Sequence, residues 1–376
     1  MDYDVVIIGA GPAGCAAAYD LRASQRQVLL LDKREFPRGK TCAGGLTPKT
    51  LKALRYSVAP VVKKVCSRMV VGKGLHRKVM FNSRHPICAM TVRSQFDSFC
   101  LEKTMQRGAS FDVVKTIDGI EETDTHVDLH TDKGIIRSKY MIGADGVNSR
   151  VRRLTHAFAG IKREFAIEGI IPMGKASQTE MEINFDRAIS GYGWTFPKDD
   201  HVNVGLYSSM GSEKLSKQQL IQYSKDRFGD DAVEDVRGYP IGTGGWNYRP
   251  THKRIILAGD AAGMADPLLG EGIFNAVKSG QMAALAVDQG LSEASGIDHI
   301  YNDLISGIKK DLMVGYRTSR WFYRYPGFGY TAMTFLPIKY ALLKGFAMGW
   351  TLSQIIRKCY LLPFVRDQVS GVKINY

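Results

Sequence analysis

The chain has 376 residues, of which 44% are hydrophobic and 23% are charged, so we expect a globular protein rather than a disordered one. This length is sufficient for two domains or for one large domain with a second domain inserted. The formal net charge of +14 favours an anionic partner, such as acidic lipid headgroups or a pyrophosphate. Nucleic acid is the least favoured partner, because the sequence contains no zinc-ligand spacing, RNA-binding aromatic motif or basic low-complexity arm.

The cysteines and the hydropathy pattern predict a cytoplasmic protein. The six cysteines are scattered without a C-x-x-C pair, which is typical of a reducing cytosol, and we expect no metal site. The sequence enters a strand almost at once and contains no run of eighteen uncharged apolar residues. We therefore expect neither a signal peptide nor a membrane-spanning helix.

The beginning of the chain predicts a strand, a glycine turn, a helix and a second strand. An apolar run, Val5–Ile8, is followed by a G-x-G-x-x-G turn, which lets the backbone approach a pyrophosphate at a helix N-terminus. The second strand ends in an acid eighteen positions after Gly14, where a carboxylate can accept hydrogen bonds from a ribose. This pattern predicts a dinucleotide site formed by Gly9, Gly11, Ala13, Gly14, Asp32 and Lys33.

A basic, glycine-rich loop spans residues 33–46. It is either a surface loop with its charges in solvent or a loop whose glycines leave room for a flat ring that Cys42 faces. Residues 58–90 then have a strand-like pattern and indicate an inserted second sheet, after which a helix begins at Arg93. Arg93 is either a solvated helix cap or a residue that reaches across the cofactor.

Two later strands end in turns that can bring the backbone to a cofactor edge. One ends in Gly-Ala-Asp-Gly and places Asp145 before a basic helix. The other ends in Gly-Asp and places Asp260 where it can accept a hydrogen bond from a polyol hydroxyl. The next glycine-rich segment, with Gly270, Gly272 and Ile273, begins a helix whose N–H groups suit a ligand group that becomes negative.

Residues 164–206 predict a mostly antiparallel second sheet. Within it Tyr192, Trp194 and Phe196 alternate before Pro197, so the three aromatic side chains project from one face. They form either the aromatic core of the sheet or the wall of an apolar substrate pocket.

The C-terminal segment is basic and rich in aromatic residues. From residue 309 onward, eleven basic residues stand against two acidic ones, and prolines interrupt the apolar stretches. Cationic amphipathic helices of this kind suit an anionic membrane surface. The alternative is a helical cap on the rest of the fold with a solvated basic face.

Together these motifs resemble those of FAD-dependent enzymes with the para-hydroxybenzoate hydroxylase fold, over roughly the first three hundred residues. Two stretches narrow the resemblance to the geranylgeranyl reductase family. Residues 37–42 resemble its P-R-x-K-x-C loop, and residues 192–197 resemble its Y-x-W-x-F-P motif, which lines a lipid-binding cavity. The resemblance implies contacts with FAD for Cys42, Ala43, Gly45, Arg93, Asp260, Gly272 and Ile273.

The predicted fold is therefore α/β (α+β), with a Rossmann-like FAD-binding domain, an interleaved and mostly antiparallel substrate-binding sheet domain, and a C-terminal helical segment. The predicted boundaries, in that order, are 1–57, 91–155 and 250–300; 58–90 and 156–249; and 301–376.

The implied activity is saturation of C=C double bonds in a geranylgeranyl-type isoprenoid chain that is linked to a lipid or a pyrophosphate. Hydride comes from reduced flavin, and Cys42 is the nearest candidate proton donor. Because the sequence has a single dinucleotide turn, the external reductant is NAD(P)H in transit or a reduced ferredoxin-type protein. The expected location is the cytoplasm, on the inner face of the membrane.

Two other functions remain open. One is a flavin-dependent monooxygenase or halogenase of the same fold, although residues 192–197 do not match the W-x-W-x-I-P motif of halogenases. The other is a flavin-bearing, membrane-associated module without catalysis.

Overall fold

The computed structural model describes residues 3–74, 76–172, 179–185, 190–209, 215–229 and 232–359, which form an α/β fold with three sheets and confirm the predicted fold class. The strands are β1 (Tyr3–Ile8), β2 (Val28–Asp32), β3 (Gly45–Leu46), β4 (Val62–Cys66), β5 (Arg68–Lys73), β6 (Arg77–Asn82), β7 (Cys88–Thr91), β8 (Ser110–Val113), β9 (Ile117–Glu122), β10 (Val127–Thr131), β11 (Gly134–Gly143), β12 (Lys162–Pro172), β13 (Met181–Phe185), β14 (Gly191–Pro197), β15 (His201–Ser208), β16 (Glu234–Thr243) and β17 (Ile255–Leu257). The helices are α1 (Pro12–Ala23), α2 (Pro48–Ala53), α3 (Arg93–Gln106), α4 (Arg150–Thr155), α5 (Lys217–Phe228), α6 (Ile273–Glu293), α7 (Asp298–Leu304), α8 (Ser306–Arg324), α9 (Pro326–Thr334), α10 (Leu336–Met348) and α11 (Leu352–Cys359).

The first of two compact units consists of Met1–Gly39, Ser94–Arg163 and Ile241–Met313. Its sheet has the order β8-β2-β1-β11-β10-β9, and β17 also pairs with β11. Strands β8, β2, β1, β11 and β17 are parallel, and all five residues of β2 are buried, as expected for parallel strands covered on both faces. Because β1, β2 and β17 are parallel, the turns that follow them lie at the same edge of the sheet, where α/β proteins bind ligands.

The second unit consists of Lys40–Arg93, Glu164–Pro240 and the residues from Val314 onward. Its larger sheet has the order β16-β12-β15-β14-β13-β5-β6, and a smaller one has the order β3-β7-β4. The larger sheet is mostly antiparallel, as predicted, with β13 and β5 as a parallel pair. Fully buried side chains of β12 and β15, such as Ile171 and Val204, form a core with Leu220 of α5.

The two units divide the chain at residues that differ from the predicted domain boundaries. Residues 40–57, placed by the sequence pattern in the FAD-binding domain, lie in the second unit, where β3 pairs with β7. The C-terminal helices from Val314 onward also lie there, and residues 360–376 of the predicted segment are outside the described residues. Among the described residues, none of the helices has both the length and the apolar character needed to cross a membrane.

Candidate active site

The glycine turn after β1 has the geometry of a phosphate-binding turn. A Cβ atom on Gly9, whose φ is +105°, would lie 2.4 Å from Ala144 O, and one on Gly14 would lie 1.9 Å from Gly9 O. Both positions therefore require glycine. A Cβ on Gly11 would have only Arg38 Nη2 near it, at 3.6 Å, so the protein leaves space there. The first turn of α1 has no side-chain cap, which leaves its N–H groups for an anion.

Asp32 lies where the sequence pattern predicts an acid, at the end of β2. It is 8% exposed; its Oδ2 accepts the N–H of Ala10 at 2.9 Å, and its Oδ1 accepts the N–H of Arg34 at 3.1 Å. Each carboxylate oxygen can accept a second hydrogen bond, so Asp32 can hold the turn and still bind ribose hydroxyls. Of the other predicted residues here, Lys33 is exposed, and Ala13 packs in α1 against Gly280 of α6.

Arg38 is a candidate cofactor residue that the sequence analysis did not single out. Its Nε is buried without a hydrogen-bond partner, 3.7 Å from Asp32 Oδ2, while its Nη2 lies 3.5 Å from Asp97 Oδ2. The same guanidinium is the group nearest to the open side of Gly11. A buried N–H donor without a partner next to a phosphate-binding turn fits an anionic oxygen of a dinucleotide. The sequence shows Arg38 only as one letter of a loop motif.

Asp145 has a structural task that the sequence did not indicate. Its Oδ2 accepts the N–H groups of Arg150 at 2.6 Å and Val151 at 3.2 Å and so caps α4. Burial raises the pKa of its carboxyl, against these hydrogen bonds, which lower it. Contact of Asp145 with a cofactor stays a prediction.

The structure brings Asp260 and the start of α6 together. Asp260 lies in a 3₁₀ turn, Gly259–Ala262, and a Cβ on Gly272 would be 3.1 Å from its Oδ1. Gly270 has a φ of +65°, which allows the chain to turn before α6. The helix begins at Ile273 without a side-chain cap or an acidic residue in its first turn, so its N-terminus is suited to a negative group.

In the second unit, three consecutive residues of the Cys42 loop each have a backbone group bound to a different partner. The N–H of Cys42 donates to Glu168 Oε1 at 2.7 Å, and the carbonyl of Ala43 accepts from Lys198 Nζ at 2.7 Å. The carbonyl of Gly44 accepts both the N–H of Thr91 at 2.8 Å and its hydroxyl at 2.9 Å. The thiol-bearing residue itself is half-buried. Residues 42–44 of the loop therefore have a defined backbone, whereas Lys33, Arg34 and Glu35 at its beginning are exposed.

Two charged side chains around this loop are almost inaccessible to water. Burial raises the pKa of Glu168, although the N–H of Cys42, Asn203 and the charges of Lys198 and Arg93 all oppose the shift. Burial lowers the pKa of Lys198 to about 8. Arg93 is only 8% exposed, so it is not a solvated cap, while its contact with a cofactor stays a prediction.

The aromatic strand is buried within its own unit. Tyr192 packs against Trp194 and Tyr207 with ring centroids 6.2 and 5.3 Å apart, and Trp194 Nε1 donates to Asn203 Oδ1 at 2.7 Å. Pro197 is buried as well. These contacts fit the aromatic core of a sheet, and a role in a substrate pocket stays a prediction for these side chains.

The third aromatic residue of this strand connects it to the Cys42 loop. A Cβ on Gly45 would lie 3.0 Å from Phe196 Cε2, and Phe196 also packs against the apolar cluster that contains Cys88 and Met90. Two groups of residues predicted separately from the sequence, the loop and the aromatic strand, are thus neighbours in the second unit.

We expect Lys198→Met to reduce the gain in stability that the protein shows between pH 7 and pH 9. The pKa of Lys198 is about 8 in the native state against an ordinary 10.5. Around pH 9 the unfolded chain therefore binds a proton that the native chain does not, and raising the pH favours folding. The wild type should gain about 1 kcal/mol more than the variant over this interval in urea unfolding. Equal gains would show that Lys198 titrates normally.

The residues of the first unit fit FAD. Space at Gly11, acceptor capacity on Asp32 and the Nε–H of Arg38, which has no hydrogen-bond partner, suit a ribose and a pyrophosphate. A family profile described as "FAD binding domain" matches residues 2–286, which include all of these positions. The chain is an FAD-binding oxidoreductase.

Comparison with related proteins identifies the family of this oxidoreductase. A protein of Methanosarcina barkeri described as uncharacterized is 32% identical over 375 residues, covering 96% of this chain and 94% of the relative. Geranylgeranyl diphosphate reductase of Rhodobacter capsulatus is 30% identical, covering 76% and 75%. Digeranylgeranylglycerophospholipid reductase of Methanocella arvoryzae is 27% identical, covering 75% and 76%. The chain belongs to the geranylgeranyl reductase family of FAD-dependent oxidoreductases, as its motifs predict.

Solved structures share the fold. A geranylgeranyl bacteriochlorophyll reductase-like protein of Thermoplasma acidophilum aligns with a TM-score of 0.76 and 21% identity, covering 85% of this chain and 87% of that one. The flavin-dependent brominase Bmp2 aligns with a TM-score of 0.72 and 20% identity, covering 96% and 98%. Since a reductase-like protein and a brominase both share it, the fold does not choose between the two chemistries.

Proposed function

We propose that this protein saturates C=C double bonds of a geranylgeranyl-type isoprenoid chain carried by a lipid or a pyrophosphate. The observation that carries the proposal is the defined backbone of the Cys42 loop next to Phe196 of the aromatic strand. Reduction of an isolated alkene needs a proton donor and a site that excludes water, and the Cys42 thiol and the aromatic wall can supply these two features. The names of the relatives from Rhodobacter capsulatus and Methanocella arvoryzae support this substrate class.

In this proposal the chain's own residues bind, orient and protonate the substrate. Bound FAD, once reduced, supplies the hydride for one carbon of the double bond. The Cys42 thiol supplies the proton for the other carbon, and its oriented loop keeps the thiol directed at the reacting bond. Tyr192, Trp194 and Phe196 present apolar surface that holds the chain and excludes water.

The net charge favours one kind of substrate headgroup, and the single dinucleotide turn limits the choice of reductant. An excess of fourteen positive charges favours a phosphate-bearing substrate over a neutral one. The reductant is NAD(P)H in transit or a reduced ferredoxin-type protein.

Turnover with a chemical reductant tests the activity without knowledge of the natural donor. FAD-loaded protein is incubated without oxygen with dithionite and either geranylgeranyl diphosphate or a digeranylgeranyl glycerophospholipid. The masses of the products are then measured by mass spectrometry. We expect a gain of two hydrogens per reduced bond on at least one substrate. Unchanged substrates in both reactions would refute the proposal.

The rival chemistry of the same fold has its own outcome in this assay. A monooxygenase or halogenase would leave the alkene intact without oxygen and would give an oxygenated or halogenated product, or strong peroxide release, in air. A flavin-bearing module without catalysis would be reduced by dithionite and would transform no lipid under either condition.

We also propose that the C-terminal helices bind an anionic membrane surface, on the cytoplasmic side. Of the large apolar side chains that the structure shows as exposed, eight of fourteen lie between residues 321 and 356: Trp321, Tyr325, Phe328, Phe335, Leu336, Ile338, Tyr340 and Ile356. Arg317, Arg320 and Arg324 are exposed beside them on α8. Exposed aromatic groups next to cationic ones are the features of helices that lie in a membrane interface.

Vesicle binding tests the membrane proposal through its most exposed apolar pair. Phe335 and Leu336 are 60% and 76% exposed, and we expect Phe335→Ser/Leu336→Ser to weaken sedimentation with phosphatidylglycerol vesicles about tenfold. Ile135→Ser is the matched control, because this side chain is 61% exposed on β11 of the first unit. Added salt should release the wild type. Failure to sediment at low salt, or equal loss in the control, would remove the proposal.

A further inference from the structure

Three partners hold the Cys42 loop, and they come from three distant parts of the chain. Glu168 lies on β12, Lys198 directly follows β14, and Thr91 ends β7. Their exposed fractions are 9%, 2% and 1%. Each contacts a different one of the consecutive residues 42, 43 and 44. The partners therefore fix the path of this loop rather than a single atom.

Two of the partners carry a charge, and burying a charge for a purely structural contact lowers the stability of the fold. Lys198 directs a buried ammonium at the neutral carbonyl of Ala43, and Glu168 directs a buried carboxylate at the neutral N–H of Cys42. Burial of charge is unfavourable, and apolar side chains would fill the same volume with less loss of stability. Hydrogen bonds to charged groups are, however, stronger and more directional than neutral ones. Such a pair is suited to holding a backbone in one conformation.

A hydrogen-bonded path also joins the loop to the aromatic strand. Glu168 binds the N–H of Cys42 and is hydrogen-bonded to Asn203, whose Oδ1 accepts from Trp194 Nε1 at 2.7 Å. The distance between the loop that carries the thiol and the strand that carries the aromatic side chains is therefore set by direct contacts within one unit.

We propose that Glu168 and Lys198 are positioning residues that hold the backbone of residues 42–44 and thereby fix the Cys42 thiol relative to Trp194. The proposal rests on the proposed reductase function for its catalytic meaning, whereas the restraint on the loop is a property of the protein alone. Neither residue donates a proton to the substrate or contacts it. Their charges act on the loop.

Hydrogen exchange of the FAD-loaded protein tests the restraint without any turnover. We expect Glu168→Ala to accelerate exchange in peptides spanning residues 40–47 about tenfold, because the N–H of Cys42 loses its acceptor. Glu168→Gln should restore most of the protection, since an amide oxygen also accepts. Lys198→Met should loosen the same peptides, with partial rescue by Lys198→Arg. Glu182→Gln is the matched control, because Glu182 lies on β13 of the same sheet and forms a buried ion pair with Arg227 of α5 (3.1 Å).

Turnover then measures how the loss of the restraint on the Cys42 loop affects catalysis. Glu168→Ala should lower kcat on a geranylgeranyl substrate about tenfold or more with little change in KM, and Glu168→Gln should recover most of it. Unchanged exchange in folded Glu168→Ala and Lys198→Met would overturn the positioning role. So would loop exchange in Glu182→Gln that rises as much as in the other variants. If exchange rises as expected but no variant, including the wild type, reduces an alkene, the proposed function fails and the restraint on the loop stands.

Discussion

Cys42→Ala and Cys42→Ser are expected to keep FAD bound and to lower kcat for alkene reduction at least about 100-fold, the usual contribution of a positioned general acid. The backbone of Cys42 is held through its N–H, which either substitution retains, so the loop should keep its conformation. Flavin absorbance gives the bound FAD, and the mass gain of the product gives turnover. If turnover falls while the amount of bound FAD is unchanged, the loss of activity is due to removal of the thiol.

A second cysteine serves as the control for this experiment. Cys66 is 6% exposed and belongs to the same apolar cluster as Cys88, but it is not part of the loop. Cys66→Ala should leave turnover close to the wild-type value. Normal turnover in both Cys42 variants would exclude the thiol as the proton donor, and loss of FAD from them would instead assign Cys42 to cofactor binding.

The second large effect concerns the glycine turn, where two neighbouring glycines should respond differently to the same substitution. Gly11→Ala is expected to fold normally but to bind FAD at least about 100-fold more weakly, because its Cβ fits the protein and intrudes where a pyrophosphate approaches. Gly14→Ala is expected to unfold the first unit or to lose FAD entirely, because its Cβ would lie 1.9 Å from Gly9 O. The thermal unfolding temperature of the apoprotein and titration with FAD measure the two effects.

Comparison of Gly11→Ala with Gly14→Ala separates obstruction of the ligand site from disruption of the protein's own packing. If Gly11→Ala bound FAD as tightly as the wild type, the turn would not be the pyrophosphate site. A fully folded Gly14→Ala protein with normal FAD affinity would mean that α1 can move away from β1, contrary to the close packing at this glycine.

The sequence predicts features that arise from neighbouring residues. The buried run of β1, the glycine turn and Asp32 lie within thirty-two residues, and each has a local pattern that gives its conformation. The aromatic alternation of β14 likewise predicts which side chains share a face. For the same reason the start of α3 at Arg93 is predicted, whereas the burial of Arg93 is not.

The partners of the Cys42 loop could not be predicted in this way. Glu168 lies 126 positions from Cys42, and Lys198 lies 155 positions from Ala43. Neither stands in a local motif that indicates a contact, and a buried lysine or glutamate is the exception among residues of its type. Only the pairing of β12, β14 and β15 in one sheet brings them to the loop. A separate long-range pairing, of β3 with β7, is found for residues 40–57, which lie in the second unit.

The most direct test of the account is the fate of reduced FAD in a single turnover. Holoenzyme reduced with one equivalent of dithionite is mixed, without oxygen, with a lipid that bears a geranylgeranyl chain, and flavin absorbance is followed by stopped flow. Reduction of the alkene by the flavin predicts that the oxidised flavin band returns and that the lipid gains two hydrogens for each flavin reoxidised. Flavin that stays reduced with every prenyl substrate and is reoxidised only by oxygen would contradict it.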